Sequence, residues 1–227
     1  MAKKYPEKVS ARMIRIIDQG EVYLIRHSTF IQFGTSSSLI GTVFMTNPGS
    51  FDFKNSSGWE DFKNGKGDVN IFSGEDYPDL TMQNIIEVVR ESYKAANLGA
   101  PDGVVQIINL TNVVQSKKDK LEDYYQIVKR LINERGLDQA LLTDVTTTDQ
   151  QAFLDTCEKS KFVIMGFADK VFSEKVLTMK HWSHLVSNKL VVALDKKNRF
   201  SHPRRWRTDK DLKERAIEKM AQVLGDG

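Results

Sequence analysis

The 227-residue chain has a single cysteine, Cys157. One thiol closes no internal disulfide and builds neither a cysteine-based zinc site nor an iron–sulfur cluster. Cys157 therefore reads as a small buried apolar side chain on a helix, in a protein of the reducing cytoplasm. Long apolar runs are also missing: none approaches the roughly 18 residues a membrane span needs. The N-terminal stretch Met1–Lys8 is charged and no apolar signal core follows it, so neither secretion nor membrane insertion is expected. There is no internal repeat and no linker-like stretch. A single domain is expected: an N-terminal β extension over 1–36, a core over 39–206 and a C-terminal helix over 208–225. Neither sign of charge dominates, with 33 Lys+Arg against 30 Asp+Glu. A net +3 alone says nothing about nucleic acid. What is present is an ordinary globular composition, 40% hydrophobic and 28% charged, in a chain long enough to bury a sizeable core.

The pattern opens with two extended runs, Met13–Ile17 and Val22 onward to about Phe33, around the turn Asp18-Gln19-Gly20, which predicts a hairpin. Four short apolar runs follow: Leu39–Met45, Val104–Ile108, Phe162–Met165 and Leu190–Leu194. Each ends abruptly in turn residues, as buried parallel strands do. Helical spacing fills the gaps. Thr81 is placed to cap a helix to about Ala96, Leu121–Ile132 forms an amphipathic face, and Thr148-Asp149-Gln150-Gln151 has capping-box form. Ala168–Met179 is helix-like, and Thr208 is placed to cap a last helix. Leu141-Leu142 could add a short strand. The order predicts an α/β fold: a three-layer α/β/α architecture on a central, mostly parallel, four-stranded sheet, with the hairpin appended. The stretch 50–79 has loop composition yet carries six aromatics, Phe51, Phe53, Trp59, Phe62, Phe72 and Tyr77. A solvated linker gains nothing from these, so the loop is expected to be ordered over something.

Ligands of open α/β sheets bind beyond the carboxyl ends of the strands. That rule selects Asn47-Pro48-Gly49-Ser50, Asn109-Leu110-Thr111-Asn112, Gly166-Phe167 and the loop holding His202-Pro203. No carboxylate pair stands at these ends, which speaks against a carboxylate-type glycosidase or metal hydrolase. His181 and His184 are three apart but lack a third ligand, and His27 lies in the β extension, so no metal or other cofactor is expected. From Lys196 to Arg207 the chain holds Arg199, Arg204, Arg205 and Arg207 and no acid, with Phe200 and Trp206 interleaved. Cations track phosphates while aromatic faces stack on bases, so the expected partner is a nucleic acid or a nucleotide.

Phe44-Met45-Thr46-Asn47-Pro48-Gly49-Ser50 resembles the LNPS signature of an uncharacterised family, domain of unknown function 1643. The same ordered segments are similar to the uracil-DNA glycosylase superfamily. Asn47-Pro48-Gly49 resembles the INPG motif of its mismatch-specific branch, and Ile107–Val113 its LLNxxLTV strand end. Val163–Ala168 resembles LLWGxxA, and His202-Pro203 resembles HPS. The resemblance runs from about Leu39 to Trp206. It implies hydrolysis of the N-glycosidic bond of a flipped base without a cofactor. Asn47 would then position water, with Pro48, Gly49, Phe51 and Asn109 holding the base. His202 would donate to the leaving base, and Arg199, Arg204, Arg205 and Arg207 would hold phosphates. Arg204 stands where the motif has serine, and Asn47 is a weaker base than aspartate. A catalytically inactive nucleic-acid-binding module and a nucleotide-specific hydrolase therefore stand as the alternatives.

Overall fold

The computed structural model describes residues 5–168 and 171–226; Met1–Lys4, Asp169, Lys170 and Gly227 lie outside the described residues. Seven strands form one sheet: β1 (Lys8–Asp18), β2 (Glu21–Phe33), β3 (Leu39–Met45), β4 (Ile71–Asp76), β5 (Gly103–Asn109), β6 (Phe162–Gly166) and β7 (Leu190–Val191). Their spatial order is β4-β1-β2-β5-β3-β6-β7. The expected four-stranded parallel sheet with an appended hairpin is therefore corrected. The four expected strands form only the parallel part, β5-β3-β6-β7. The hairpin continues the same sheet, because β2 pairs antiparallel with β5 from Thr29↔Ile107 to Phe33↔Gly103. The longest ladder is antiparallel, β1 with β2 running from Lys8↔Gln32 to Asp18↔Glu21. β4 lies in the stretch expected to be loop and pairs antiparallel with β1 at the sheet edge.

The helices are α1 (Trp59–Lys63), α2 (Leu80–Ala95), α3 (Leu121–Glu134), α4 (Gln150–Glu158), α5 (Ser173–Ser183) and α6 (Lys210–Gly225). Four expected starts move; one is α4, capped by Asp149 and not by the Thr148 of the capping-box pattern, with Asp149 Oδ1 accepting from Ala152 N–H at 2.8 Å. Asp79, not Thr81, caps α2, its Oδ1 accepting from the N–H groups of Thr81 and Met82, both at 3.0 Å. Asp209, not Thr208, caps α6, accepting from Leu212 N–H at 3.2 Å. α5 begins at Ser173 rather than Ala168. An aspartate carboxylate accepts from two N–H groups more readily than a threonine hydroxyl, and its charge suits a helix N-terminus. Gln139–Leu141 is a 3₁₀ turn, not a strand.

Alternation along the strands decides which helices cover which face. Val43 and Met45 of β3, Val105 and Ile107 of β5 and Ile31 and Phe33 of β2 join a core with α2, α6 and the aromatic loop. Phe44 and Ile108, one residue out of phase, face α4 and α5. Ile16 and Ile25 face α3 through Val128, Leu131 and Ile132. The aromatic loop is ordered as expected, and its rings form the lining of the first core. Phe53 lies edge-on to Trp59 at 5.2 Å and to Phe51 at 5.3 Å, and Trp59 stacks on Phe62 at 5.6 Å. Tyr77 stays outside this cluster, with Lys8 Nζ 3.3 Å above its ring. Gly41 is required where β3 pairs with β6, since a Cβ there would lie 2.3 Å from the ring of its register partner Phe162.

Candidate functional site

A cavity of about 470 Å³ opens at the carboxyl ends of the parallel strands. That volume falls in the range of small-molecule sites. Five parts of the chain converge on it: Met45, Asn47, Gly49 and Ser50 after β3; Gln115 and Ser116 after β5; Phe167 and Ala168 after β6; His202, Arg204, Arg205 and Thr208 beyond β7; and Asp79, Thr81 and Met82 at the start of α2. Arg26 of β2 completes the wall. Of the residues selected from the sequence, the structure brings together Asn47, Gly49, His202, Arg204 and Arg205. It does not bring Pro48, Phe51, Asn109, Arg199 or Arg207 to the cavity.

Hydrogen bonds hold each contributing segment. Asn47 donates both Nδ2 hydrogens to backbone, to Pro48 O at 2.9 Å and to Gln115 O at 2.7 Å. Its amide is thus fixed in orientation, and what remains for a ligand is the Oδ1 acceptor. Thr46 Oγ1 accepts from Ala168 N–H at 2.7 Å, tying the end of β3 to the end of β6. Phe167 bridges to Ser201, which sets the next residue, His202, beside the same rim. The turn Pro203–Arg207 is pinned from two sides. Trp206 Nε1 donates to Ser201 Oγ at 2.9 Å, and the buried Asn84 amide of α2 donates to Pro203 O at 3.0 Å. His202 Nδ1 accepts from Arg204 N–H at 3.2 Å. A ring that accepts at Nδ1 carries its proton on Nε2 when neutral. Gly166 makes this turn possible: a Cβ there would lie 2.5 Å from Pro203 Cδ and 2.9 Å from Ser201 O.

Several of the expected roles change on these contacts, and each change has a physical cause. Phe51 is 3% exposed, packed on Phe53 with its carbonyl accepting from Arg26 Nη1 at 3.0 Å, so it is core and not a stacking face. Asn109 is buried beside its register partner Met45 but does not line the cavity, and its Oδ1 has no partner. The basic loop is partly neutralised by Asp195, one residue before the acid-free run. Asp195 Oδ2 accepts from Arg199 Nη2 at 2.7 Å and Nε at 3.1 Å, and from Arg205 Nη1 at 3.0 Å. Its Oδ1 accepts from the Lys197 and Arg199 N–H groups at 2.8 and 3.1 Å. The Arg199 guanidinium, followed by burial opposing it and then Arg205, sets the balance that holds the Asp195 carboxyl well below the usual carboxylate range. Arg199 and Arg205 are thus fasteners of the loop before they are phosphate ligands.

Two charged lining residues escaped the reading of the sequence. Asp79 brings a carboxylate: its Oδ1 caps α2, and its Oδ2 accepts the Ser50 hydroxyl at 3.3 Å. Any β-carbon on Gly49 would touch that Oδ2 at 3.4 Å, so the Asn47-Pro48-Gly49 turn and Asp79 form adjoining walls. Arg26 brings a fully buried guanidinium whose Nε has no hydrogen-bond partner among the described residues. Burial pushes Arg26 down to about 10, with Asp79 and Asp52 pulling the other way, so it stays charged at neutral pH. No family model matches the chain, and neither a curated protein nor a solved structure matches it. Among the described residues no group of three His, Cys, Asp or Glu could hold a metal ion, and no helix is long and apolar enough to cross a membrane.

Proposed function

We propose that the cavity binds a nucleobase-bearing small molecule and hydrolyses its N-glycosidic bond. The observation that carries this reading is the convergence of Asn47, His202 and Asp79 on one cavity at the strand ends. The chemistry needs three things: an oriented water, an acceptor for its proton and a donor to the departing base. Asn47 Oδ1 accepts a hydrogen bond from the water and orients it. An amide oxygen does not take the proton; the Asp79 carboxylate does. The water oxygen bonds to the sugar C1′ as the C1′–N bond breaks, and the base leaves with that electron pair. His202 Nε2–H donates to the base oxygen on which negative charge grows, and the base anion takes up, through solvent, the proton that Asp79 accepted, which restores the carboxylate. Met45, Met82 and Phe167 supply the apolar walls a planar heterocycle needs.

A nucleotide-sized ligand is favoured over a DNA duplex. The site is a cavity rather than a groove, Phe51 is sealed in the core, and two of the four arginines expected on phosphates are fastened to Asp195. The test is base release, followed by chromatography, from nucleosides, nucleoside monophosphates and uracil- or hypoxanthine-containing oligonucleotides. Release from the small ligands is expected, lowered about 10²–10³-fold by His202→Ala, as for removal of one preorganised donor. No release from any of these substrates overturns the reading.

A further inference from the structure

Arg26 is the least expected residue in the molecule. It lies on β2 with backbone N–H bonded to Asn112 O at 2.8 Å, and strand alternation turns its side chain to the face of Leu24 and the aromatic loop. There it is 0% exposed, in the wall of the cavity. The Phe51 ring lies 5.3 Å from its guanidinium carbon, and the Phe51 carbonyl takes one hydrogen bond from Nη1. Among the described residues its Nε is buried with no hydrogen-bond partner. Burying a charged fork and leaving a donor idle is costly. The nearby carboxylate of Asp79 makes no hydrogen bond to that Nε; it accepts from two N–H groups of α2 and from Ser50. Among the described lining residues the cavity carries three arginines, Arg26, Arg204 and Arg205, against Asp79 as the one carboxylate. Arg204 is exposed at the mouth. A ligand that meets cations both at the buried wall and at the mouth is an anion, and a planar guanidinium matches a phosphate.

We propose that Arg26 is the anion receptor of this cavity and that the substrate is a nucleoside monophosphate, its phosphate completing the idle donor of Arg26. The substrate class rests on the nucleobase reading given above; the phosphate site itself does not. The experiment is thermal denaturation of the intact protein with inorganic phosphate, deoxyuridine and deoxyuridine monophosphate, repeated with Arg26→Met and Arg26→Lys. Wild type should be stabilised by phosphate and by the monophosphate, by roughly 5–10 °C at about a hundredfold excess over Kd. Arg26→Met, which removes a buried charge and fills its volume, should melt no lower than wild type without ligand and lose the phosphate shift. A merely structural arginine would instead lose stability on that change. Arg26→Lys keeps the charge without the fork and should bind phosphate at least tenfold more weakly. No phosphate shift in wild type, a shift retained in Arg26→Met, or equal binding by Arg26→Lys overturns the proposal. Phosphate-dependent stabilisation with no base release sinks the hydrolase reading alone. Release from deoxyuridine that a phosphate group does not improve sinks the receptor alone.

Discussion

Replacing Asp195 with alanine should loosen the loop that presents His202, by an amount that can be worked out from its contacts. The carboxylate is 4% exposed and accepts three bonds from two guanidinium groups and two from backbone N–H groups. The arginines Arg199 and Arg205 are 41% and 44% exposed. Water takes over much of what they lose, so their share stays near ~0–1 kcal/mol. The Lys197 and Arg199 N–H groups lose their acceptor, which costs about 1–3 kcal/mol where water does not reach them. The total of about 1–4 kcal/mol corresponds to a fall of roughly 2–16 °C in melting temperature for a chain of this size. Asp195→Asn keeps one acceptor oxygen and should lose less. The pH dependence has a definite sign. Because the folded carboxyl sits below its ordinary range, its contribution is complete above about pH 3.9 and is lost as pH falls through the depressed value. The gap between wild type and Asp195→Ala, read by circular dichroism melts, should therefore be full at pH 7 and shrink below about pH 3.9. Equal melting temperatures at pH 7, or a gap that does not change into strong acid, would refute this reasoning.

Other perturbations test other links. Trp59→Ala should cost about 3–5 kcal/mol, because Trp59 is 1% exposed and holds Phe53, Phe62 and Phe72 together; urea denaturation measures it, and a loss below about 1 kcal/mol would place the aromatic loop outside the core. Gly166→Ala should displace the Pro203 turn and abolish ligand-induced stabilisation while the far hairpin keeps its slow amide exchange; unchanged ligand binding would show that the turn does not set the site. Cys157, fully buried, has its thiol pushed up to about 12 by burial. It should resist alkylation until the chain unfolds. Since the thiol ionises more easily in the unfolded chain, stability should decline as pH rises past about 8.5, the ordinary thiol value; native-state labelling at neutral pH would contradict the burial.

The sequence exposed the parallel strands because Leu39–Met45, Val104–Ile108 and Phe162–Met165 are continuous apolar runs, the mark of strands covered on both faces. It hid β4 because Ile71-Phe72-Ser73-Gly74-Glu75-Asp76 is a polar edge strand containing glycine, and only its pairing with β1 makes it a strand. The hairpin was visible, but its union with the parallel sheet depends on β2–β5 pairing between segments far apart in the chain, which no local pattern encodes. At the site, Asn47 and His202 were legible because they follow strand ends. Arg26 was not, since a charged residue within a strand reads as solvent-facing until the loop from Ser50 to Asp79 closes over it. Asp195 was overlooked because it stands just outside the basic run that it fastens. Asp79 was overlooked because the cap of α2 was assigned two residues late. Phe51 was misplaced because adjacency in sequence to Asn47 does not fix which side of the sheet a ring turns to.

The most direct test of the account watches His202 itself. In two-bond ¹⁵N–¹H correlation spectra of the four histidines, the free protein should show His202 as the Nε2–H tautomer, its Nδ1 accepting from Arg204. Titration with deoxyuridine monophosphate should then shift His202 while His27, His181 and His184 stay in place. A static His202, or shifts confined to the other three rings, would contradict a nucleotide site at the strand ends.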